Sequence, residues 1–148
     1  MDKQASNIMH LHRGNFKSVI ENQAFVLVDF WAEWCAPCMD FLPIYDAVAQ
    51  QYPQIVFGKV NIDKSPEIAE YFNVKKIPSL LAIRDRIVLD AVEGLMKAHE
   101  LAHHIHMWQQ FDMQEINAHF DAKEANALQA RHVQVKLNQG NNSNDAAV

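Results

Sequence analysis

The sequence predicts an α/β fold in which a central mixed β-sheet is flanked by helices. Short apolar runs typical of strands alternate with segments of helical spacing through the first half of the chain. Two strands joined by a short polar turn then precede a final helix. The alternating half requires right-handed crossovers and parallel pairing, and the closing hairpin adds antiparallel strands. The expected element order is βαβαβαββα.

The first elements lead into the strand that we expect at the centre of the sheet. Residues 6–12 are compatible with a short first strand, and Asn15 is placed to cap the helix that follows it. The apolar run that starts at Phe25 predicts a buried strand over about 24–31. The chain passes from this strand directly into its second helix.

The second helix and the elements after it follow from helical spacing and from proline. Pro43 should kink the second helix, which would leave the first turn of that helix as a short separate segment. Residues 55–62 predict the next strand. Ser65 and Pro66 then begin a third helix, as cap and first residue.

A hairpin and a helix complete the predicted fold. Residues 79–83 and 87–92 have the composition of strands and are joined by the polar turn 84–86. The apolar spacing over 96–108 predicts a helix with one face towards the core.

Both cysteines of the chain, Cys35 and Cys38, lie where the central strand runs into a helix. Residues three apart share one face of a helix, so the two sulfurs can cycle between a dithiol and a disulfide. Unpaired N–H groups at a helix start favour a thiolate, which makes Cys35 the nucleophile and Cys38 the resolving residue. Pro37 suits the first helical turn, where its missing N–H has no partner to lose.

Other interpretations of the cysteine pair stay open from the residues alone. A zinc site usually needs about four ligands, and histidines are available within 10–12 and 99–106. A structural disulfide and two inert buried cysteines are further alternatives. His99, His103 and His106 have the spacing of metal ligands, although an exposed His-rich helix face explains them at lower cost. We predict no metal site.

Several separate motifs resemble those of the thioredoxin family. They are the stretch from Val28 to Cys38 (VDFWAEWCAPC), the segment KVNID at 59–63, the tripeptide Ile-Pro-Ser at 77–79, and Gly94. These motifs occur in the family's order, and the resemblance covers roughly residues 5–108. It implies the thioredoxin fold.

The resemblance also implies roles for residues outside the cysteine pair. Asp29 matches the buried family carboxylate that serves as general base for the resolving Cys38. Lys59 matches the lysine that tunes the pKa of this carboxylate. The residues implied to form an apolar substrate-binding patch are Trp34, Ala36, Pro37, Ile77, Pro78 and Gly94.

One loop and several substitutions bear on substrate recognition. The resemblance implies a cis bond between Ile77 and Pro78, in a loop that faces the cysteines and pairs with an extended substrate segment. Ala36 stands where the family most often has glycine, which affects ring strain and thiolate stability. Glu93 replaces a usually apolar residue beside the groove, and we expect altered partner choice. Arg86 replaces a usual glycine in the hairpin turn, which leaves the turn type open.

The class of protein is limited by the length, composition and charge of the chain. A chain of 148 residues is enough for one domain with a core and an extension. Its net charge of −5, without a Lys/Arg cluster, predicts no binding to nucleic acid, and no apolar run is long enough for a membrane span. The first residues do not resemble a secretory signal, so we expect a cytoplasmic protein. There is no Gly-rich phosphate loop, and we expect no bound cofactor.

The C-terminal part of the chain lies outside the resemblance. We predict a thioredoxin-like domain over 1–110, a helical extension over 111–137 and a disordered polar tail over 138–148. Asp112 and Glu115 indicate a capping box at the start of the extra helix. This helix is expected to pack on its own domain or to stay solvated, with docking to a partner or a second copy as the alternative.

The function expected from these observations is that of a thiol-disulfide oxidoreductase, which reduces protein disulfides through Cys35 and Cys38. The resemblance implies disulfide-containing client proteins as substrates. It also implies a flavin- and NADPH-dependent thioredoxin reductase that regenerates the dithiol, so NADPH acts indirectly. The alternatives are a thiol oxidant or isomerase, and a thioredoxin-like adaptor module whose extension mediates partner or self association.

Overall fold

The structure is a computed structural model, and it describes residues 7–119. Strands and helices alternate through the first half of the chain, and the expected order βαβαβαββα is confirmed. The elements are β1 (Ile8–Leu11), α1 (Phe16–Asn22), β2 (Phe25–Trp31), α2 (Ala36–Ala49), β3 (Val56–Asn61), α3 (Pro66–Tyr71), β4 (Ser79–Arg84), β5 (Ile87–Glu93) and α4 (Ala98–Gln110).

The five strands form one mixed sheet in the order β1-β3-β2-β4-β5. Strands β1 and β2 both run parallel to β3, whereas β4 runs antiparallel to β2 and to β5. The predicted combination of a parallel half and a closing antiparallel hairpin is therefore confirmed. Strand β2 lies in the middle, and all seven of its residues are buried.

Two apolar clusters cover the two faces of the sheet. Because neighbouring residues of a strand point to opposite faces, Leu27 joins one cluster and Val28 the other. The first cluster includes α2 and α4 through Phe41, Tyr45, Val48, Leu101, Ile105 and Trp108. The second includes α1 and α3 through Phe16, Val19, Ile20, Ile68 and Ala69. The sheet is thus covered by helices on both sides.

Local predictions from single residues are confirmed only in part. Ser65 occupies the N-cap position of α3 as predicted, but its side chain makes no hydrogen bond to that helix. Asn15 occupies the N-cap position of α1 but makes no side-chain hydrogen bond to that helix. Its side chain instead accepts a hydrogen bond from the N–H of His12 at 2.8 Å and donates to the carbonyl of His10 at 2.9 Å. Pro43 lies inside α2, which runs without interruption from Ala36 to Ala49, so the first turn is not a separate segment.

The chain divides into two compact units, Met1–Gln110 and Phe111–Val148. In the second unit a helix spans 113–119. Asp112 caps this helix as predicted, because its Oδ1 accepts hydrogen bonds from the N–H groups of Gln114 at 3.0 Å and Glu115 at 3.2 Å. The predicted continuation of the helix and the polar tail lie outside the described residues.

A helix that crosses a membrane must be long and predominantly apolar. Within the described part of the chain, 7–119, none of the helices combines the length and the apolar character that crossing a membrane requires.

The β4–β5 turn places two ordinary residues in left-handed backbone conformations. Asp85 has a φ of 50° and Arg86 a φ of 68°. Positive φ at both central residues is the geometry of the type I′ turn, whose twist matches that of the flanking strands. Aspartate tolerates this region better than arginine, whose side chain crowds the following carbonyl group. The turn therefore carries backbone strain at Arg86.

Replacing Arg86 with glycine should stabilise the protein. Glycine adopts positive φ without a steric cost, so the substitution relieves the backbone strain. The greater freedom of glycine in the unfolded chain offsets part of this gain in stability. We expect the free energy of unfolding of the oxidised protein to rise by about 0.5–1 kcal/mol in urea denaturation. Arg86→Ala is the matched control, because it removes the long side chain but keeps Cβ. A glycine variant no more stable than the alanine variant would contradict the account.

Candidate active site

The active-site cysteines are positioned by the junction between β2 and α2. Cys35 occupies the N-cap of α2 in an extended conformation, and its Sγ accepts a hydrogen bond from the N–H of Cys38 at 3.3 Å. Pro37 lies in the first turn of the helix, where it displaces no helical hydrogen bond. The sulfur of Cys35 thus lies at the positive end of a 14-residue helix, which favours a thiolate there.

Cys35 and Cys38 are joined in a disulfide, and their Cα atoms are 5.2 Å apart. Cys35 retains 6% of its accessible surface, whereas Cys38 retains none. This difference supports the predicted order of roles, because an incoming disulfide can reach Cys35 first. The pair packs in a small cluster with Trp31, Ala32, Leu42, Ile62 and Ile77.

A loop before β4 faces the sulfur of Cys35. The carbonyl oxygen of Ile77 lies 3.8 Å from Sγ of Cys35, and the bond between Ile77 and Pro78 is cis, as the resemblance implied. The carbonyl of Pro78 in turn accepts a hydrogen bond from the N–H of Gly94 at 2.8 Å. Gly94 has a φ of 97°, a conformation that glycine adopts readily. Residues distant in sequence are in this way gathered beside Cys35.

Only some residues of the predicted substrate-binding patch lie at the surface. Trp34, Ala36, Pro37 and Gly94 are exposed, and Ile77 is half-buried. Pro78 is buried, so its ring adds little to the surface that a client could touch. Pro78 contributes to the site by placing its own carbonyl group against Gly94 and the carbonyl group of Ile77 beside Cys35.

Trp34 is held by a residue that sequence analysis did not single out. Its indole remains 68% exposed, and its Nε1–H donates a hydrogen bond to Oδ2 of Asp63 at 2.8 Å. Asp63 follows the end of β3, on the parallel neighbour of the strand that leads to Cys35. Asp63 ends the KVNID segment, but nothing local to that segment shows that its carboxylate reaches an indole 29 residues away.

Asp29 lies beneath the helix that carries the cysteines. It shares a sheet face with Leu27, which belongs to the cluster that α2 covers. No part of Asp29 is accessible to solvent, and neither carboxylate oxygen accepts a hydrogen bond from the described residues. Burial therefore raises the pKa of Asp29 well above its ordinary value, and the nearby Lys59 ammonium opposes this only partly.

Lys59 pairs with Asp29 across the parallel β2–β3 ladder. Its ammonium lies 4.8 Å from the centre of the Trp31 ring, a cation–π contact. Burial lowers the pKa of Lys59, while the carboxylates of Asp29 and Asp46 oppose that shift. The lysine is thus a partly buried cation close to the buried carboxylate, as the resemblance implied.

Tyr45 is a second group near Asp29 that sequence analysis missed. Its hydroxyl donates a hydrogen bond of 2.8 Å to the carbonyl of Gly58, the neighbour of Lys59 in β3. Burial raises the pKa of Tyr45 and the Asp29 charge adds to the shift, because the two groups share the layer between β2 and α2. The apolar spacing of α2 predicted Tyr45 as a core residue but did not indicate this polar contact.

The zinc interpretation requires further ligands close to the cysteine pair. Among residues 7–119, no three histidine, cysteine, aspartate or glutamate side chains come together in a group that could hold a metal ion. His99, His103 and His106 are exposed on α4. Within these residues, the cysteine pair therefore has no additional ligands with which to form a zinc site.

The fold and the site together define a class of protein. A disulfide-forming cysteine pair at the start of a helix, beside a cis-proline loop and above a buried carboxylate, is the arrangement of a thiol-disulfide oxidoreductase. The family model described as Thioredoxin matches residues 7–107. The chain belongs to the thioredoxin family, and its substrates are disulfide-containing proteins.

Individual relatives agree with this assignment. The thioredoxin of Buchnera aphidicola subsp. Schizaphis graminum is 43% identical over 98 residues, which cover 65% of this chain and 91% of the relative. Thioredoxin 1 of Synechococcus elongatus is 40% identical over 87 residues, which cover 58% of this chain and 81% of the relative. The solved structure of a Plasmodium falciparum thioredoxin is 29% identical, has a TM-score of 0.64, and covers 68% of this chain and 98% of its own.

The buried carboxylate predicts a particular dependence of stability on pH. The pKa of Asp29 is raised in the folded state, so the unfolded chain loses this proton first as pH rises. Asp29 therefore costs no stability below about pH 4, the unfolded pKa, and its cost grows as pH rises towards the folded pKa. Above the folded pKa the cost is complete.

Asp29→Asn removes this titration. We expect the free energy of unfolding of the oxidised variant to increase relative to that of the wild type as pH rises from about 4 to 9. The difference should reach at least about 1 kcal/mol at the upper end, since one pKa unit corresponds to about 1.4 kcal/mol. Urea denaturation at a series of pH values measures this difference. Asp40→Asn, at an exposed position of α2, is the matched control for replacing a carboxylate with an amide. Parallel curves for the wild type and Asp29→Asn would refute the assignment of a raised pKa.

Proposed function

We propose that this protein reduces the disulfides of client proteins and is itself oxidised to the Cys35–Cys38 disulfide. The observation that carries the proposal is the placement of the two sulfurs. Cys35, at the start of a helix, retains a small accessible surface and faces the carbonyl of Ile77, whereas Cys38 is completely buried. One sulfur is therefore open to attack a client, and the other is held in place to resolve the product.

The first step is the attack of the Cys35 thiolate on one sulfur of the client disulfide. A bond forms between Cys35 and that sulfur, the client S–S bond breaks, and the second client sulfur leaves as a thiolate that takes up a proton. The positive end of α2 and the N–H of Cys38 favour the attacking thiolate. The position of the half-buried Ile77, in the loop that faces Cys35, supports pairing with an extended client segment.

The second step releases the client. Cys38 loses its proton to the carboxylate of Asp29, and the resulting thiolate attacks Cys35. The Cys35–Cys38 disulfide forms, the mixed disulfide breaks, and the first client sulfur leaves as a thiolate that is then protonated. In total two electrons pass from the cysteine pair to the client.

The role of Asp29 as proton acceptor is supported by its position and its environment. Both Asp29 and Cys38 are fully buried, and Asp29 lies under the helix that carries Cys38. A carboxylate with a raised pKa accepts a proton from a thiol more readily than an ordinary one does. Lys59, paired with Asp29 across the ladder, limits how far that pKa rises.

Regeneration completes the proposed cycle. A flavin- and NADPH-dependent thioredoxin reductase returns the disulfide to the dithiol, so NADPH supplies the electrons without binding to this chain. Membership of the thioredoxin family supports this partner. We place the protein in the cytoplasm, a reducing compartment in which the dithiol form is maintained. Association with a partner or a second copy through residues 111–148 stays a prediction.

Replacing each cysteine in turn tests the order of the two steps. Cys38→Ser should accumulate a mixed disulfide with a client such as insulin, because no thiol remains to resolve it. Cys35→Ser should form little adduct, since the remaining thiol is enclosed. Non-reducing electrophoresis and mass spectrometry after mixing each variant with insulin measure the adducts, and the wild type is the control for turnover. Equal amounts of mixed disulfide in the two variants would contradict the proposed order of attack. A wild-type protein that does not reduce insulin would contradict the proposed function.

A further inference from the structure

Glu93 is an exposed carboxylate at the end of the β4–β5 hairpin. It is the last residue of β5, an edge strand of the sheet, and it pairs in register with Ser79 of β4. Ser79 directly follows Pro78, so the pairing places Glu93 beside the loop that faces the cysteines. Within residues 7–119, no ion pair or side-chain hydrogen bond occupies Glu93.

A short chain of contacts connects Glu93 to the reactive sulfur. Glu93 precedes Gly94, whose N–H is bound to the carbonyl of Pro78 at 2.8 Å. The neighbouring carbonyl, that of Ile77, lies 3.8 Å from Sγ of Cys35. These contacts place the backbone of Glu93 beside the loop that a client segment must approach when its sulfur reaches Cys35.

The other charges around the groove are placed differently. Asp63 is engaged by the indole of Trp34, on the side of Cys35 where β3 ends. Glu33 is exposed next to Trp34. Lys75 and Lys76 are exposed where the chain approaches the loop before β4. The end of β5 thus presents an exposed carboxylate that forms no ion pair with a described residue.

We infer that Glu93 determines client specificity, by favouring disulfides that have Lys or Arg close to the reducible cysteine. The inference rests on the proposed function and names the chemistry of the clients that this site prefers. When the Cys35 thiolate attacks, a client cation beside the cysteine lies near the Glu93 carboxylate, whereas a client carboxylate is repelled. Because both charges are exposed, the attraction is modest and screened by salt.

Two synthetic peptides test this inference. Each carries one intramolecular disulfide, and they differ only in having Lys or Glu beside the cysteines. The pre-reduced protein is mixed with each peptide at low ionic strength, the reaction is quenched with acid, and the rate constant is obtained from chromatography. The measured quantity is the ratio of the two rate constants, Lys peptide over Glu peptide. Comparing this ratio between variants cancels the intrinsic difference in reactivity of the peptides.

We expect Glu93→Gln to lower this ratio about threefold and Glu93→Lys to lower it about tenfold, the effect of an exposed charge pair first removed and then reversed. Both effects should shrink in 0.5 M salt, about the range where screening is nearly complete. Glu21→Lys is the matched control, because it makes the same change in net charge at the end of α1. That end leads into the start of β2, at the opposite end of the strand from Cys35.

The outcomes separate the inference from the function on which it rests. The inference is wrong if the ratio of rate constants is unchanged in Glu93→Lys, or if it falls equally in Glu21→Lys. In either case the proposed function still holds as long as both peptides are reduced. If the wild-type protein reduces neither peptide nor insulin, the proposed function fails and the inference falls with it. A drop confined to the Glu93 variants supports the assignment.

Discussion

The buried central strand β2 is the constraint on which the rest of the structure depends. All seven of its residues are enclosed, strands on both sides are hydrogen-bonded to it, and helices cover both of its faces. A strand held in this way fixes the point at which the chain leaves the sheet, and Cys35 follows within a few residues. The same enclosure denies the carboxylate of Asp29 both solvent and a described hydrogen-bond partner. One element thus positions the sulfur and encloses the carboxylate beneath it.

The sequence predicted most of the fold because the pattern of apolar residues is set by burial. The alternation of strand and helix periods gave the element order and the mixed sheet, since each element must bury one face. Single polar residues were less informative. Asn15 has competing partners in its own turn, so its cap position did not produce a cap bond. The left-handed pair Asp85 and Arg86 could not be predicted, because neither residue is the glycine that usually marks this geometry.

The site was predictable where its chemistry lies in one segment and much less so where the fold brings distant segments together. The spacing of Cys35 and Cys38 indicated redox chemistry directly, whereas the cis-proline loop, Asp29 and Lys59 came only from the resemblance to thioredoxins. The partners Asp63 and Tyr45 act through contacts between elements, and no local pattern marks such contacts. For the same reason the burial of Pro78 could not be foreseen, although its place in the loop could.

The reduction potential of the Cys35/Cys38 pair tests the central claim, that this site donates electrons to client disulfides. Equilibration of the full chain with a series of dithiothreitol or glutathione buffers, followed by quantitation of the disulfide, measures it. We expect a value of about −270 mV, the potential of thioredoxin itself, at which the dithiol is a reductant towards protein disulfides. A value of about −120 to −180 mV would contradict the account, because the pair would then oxidise or isomerise client disulfides.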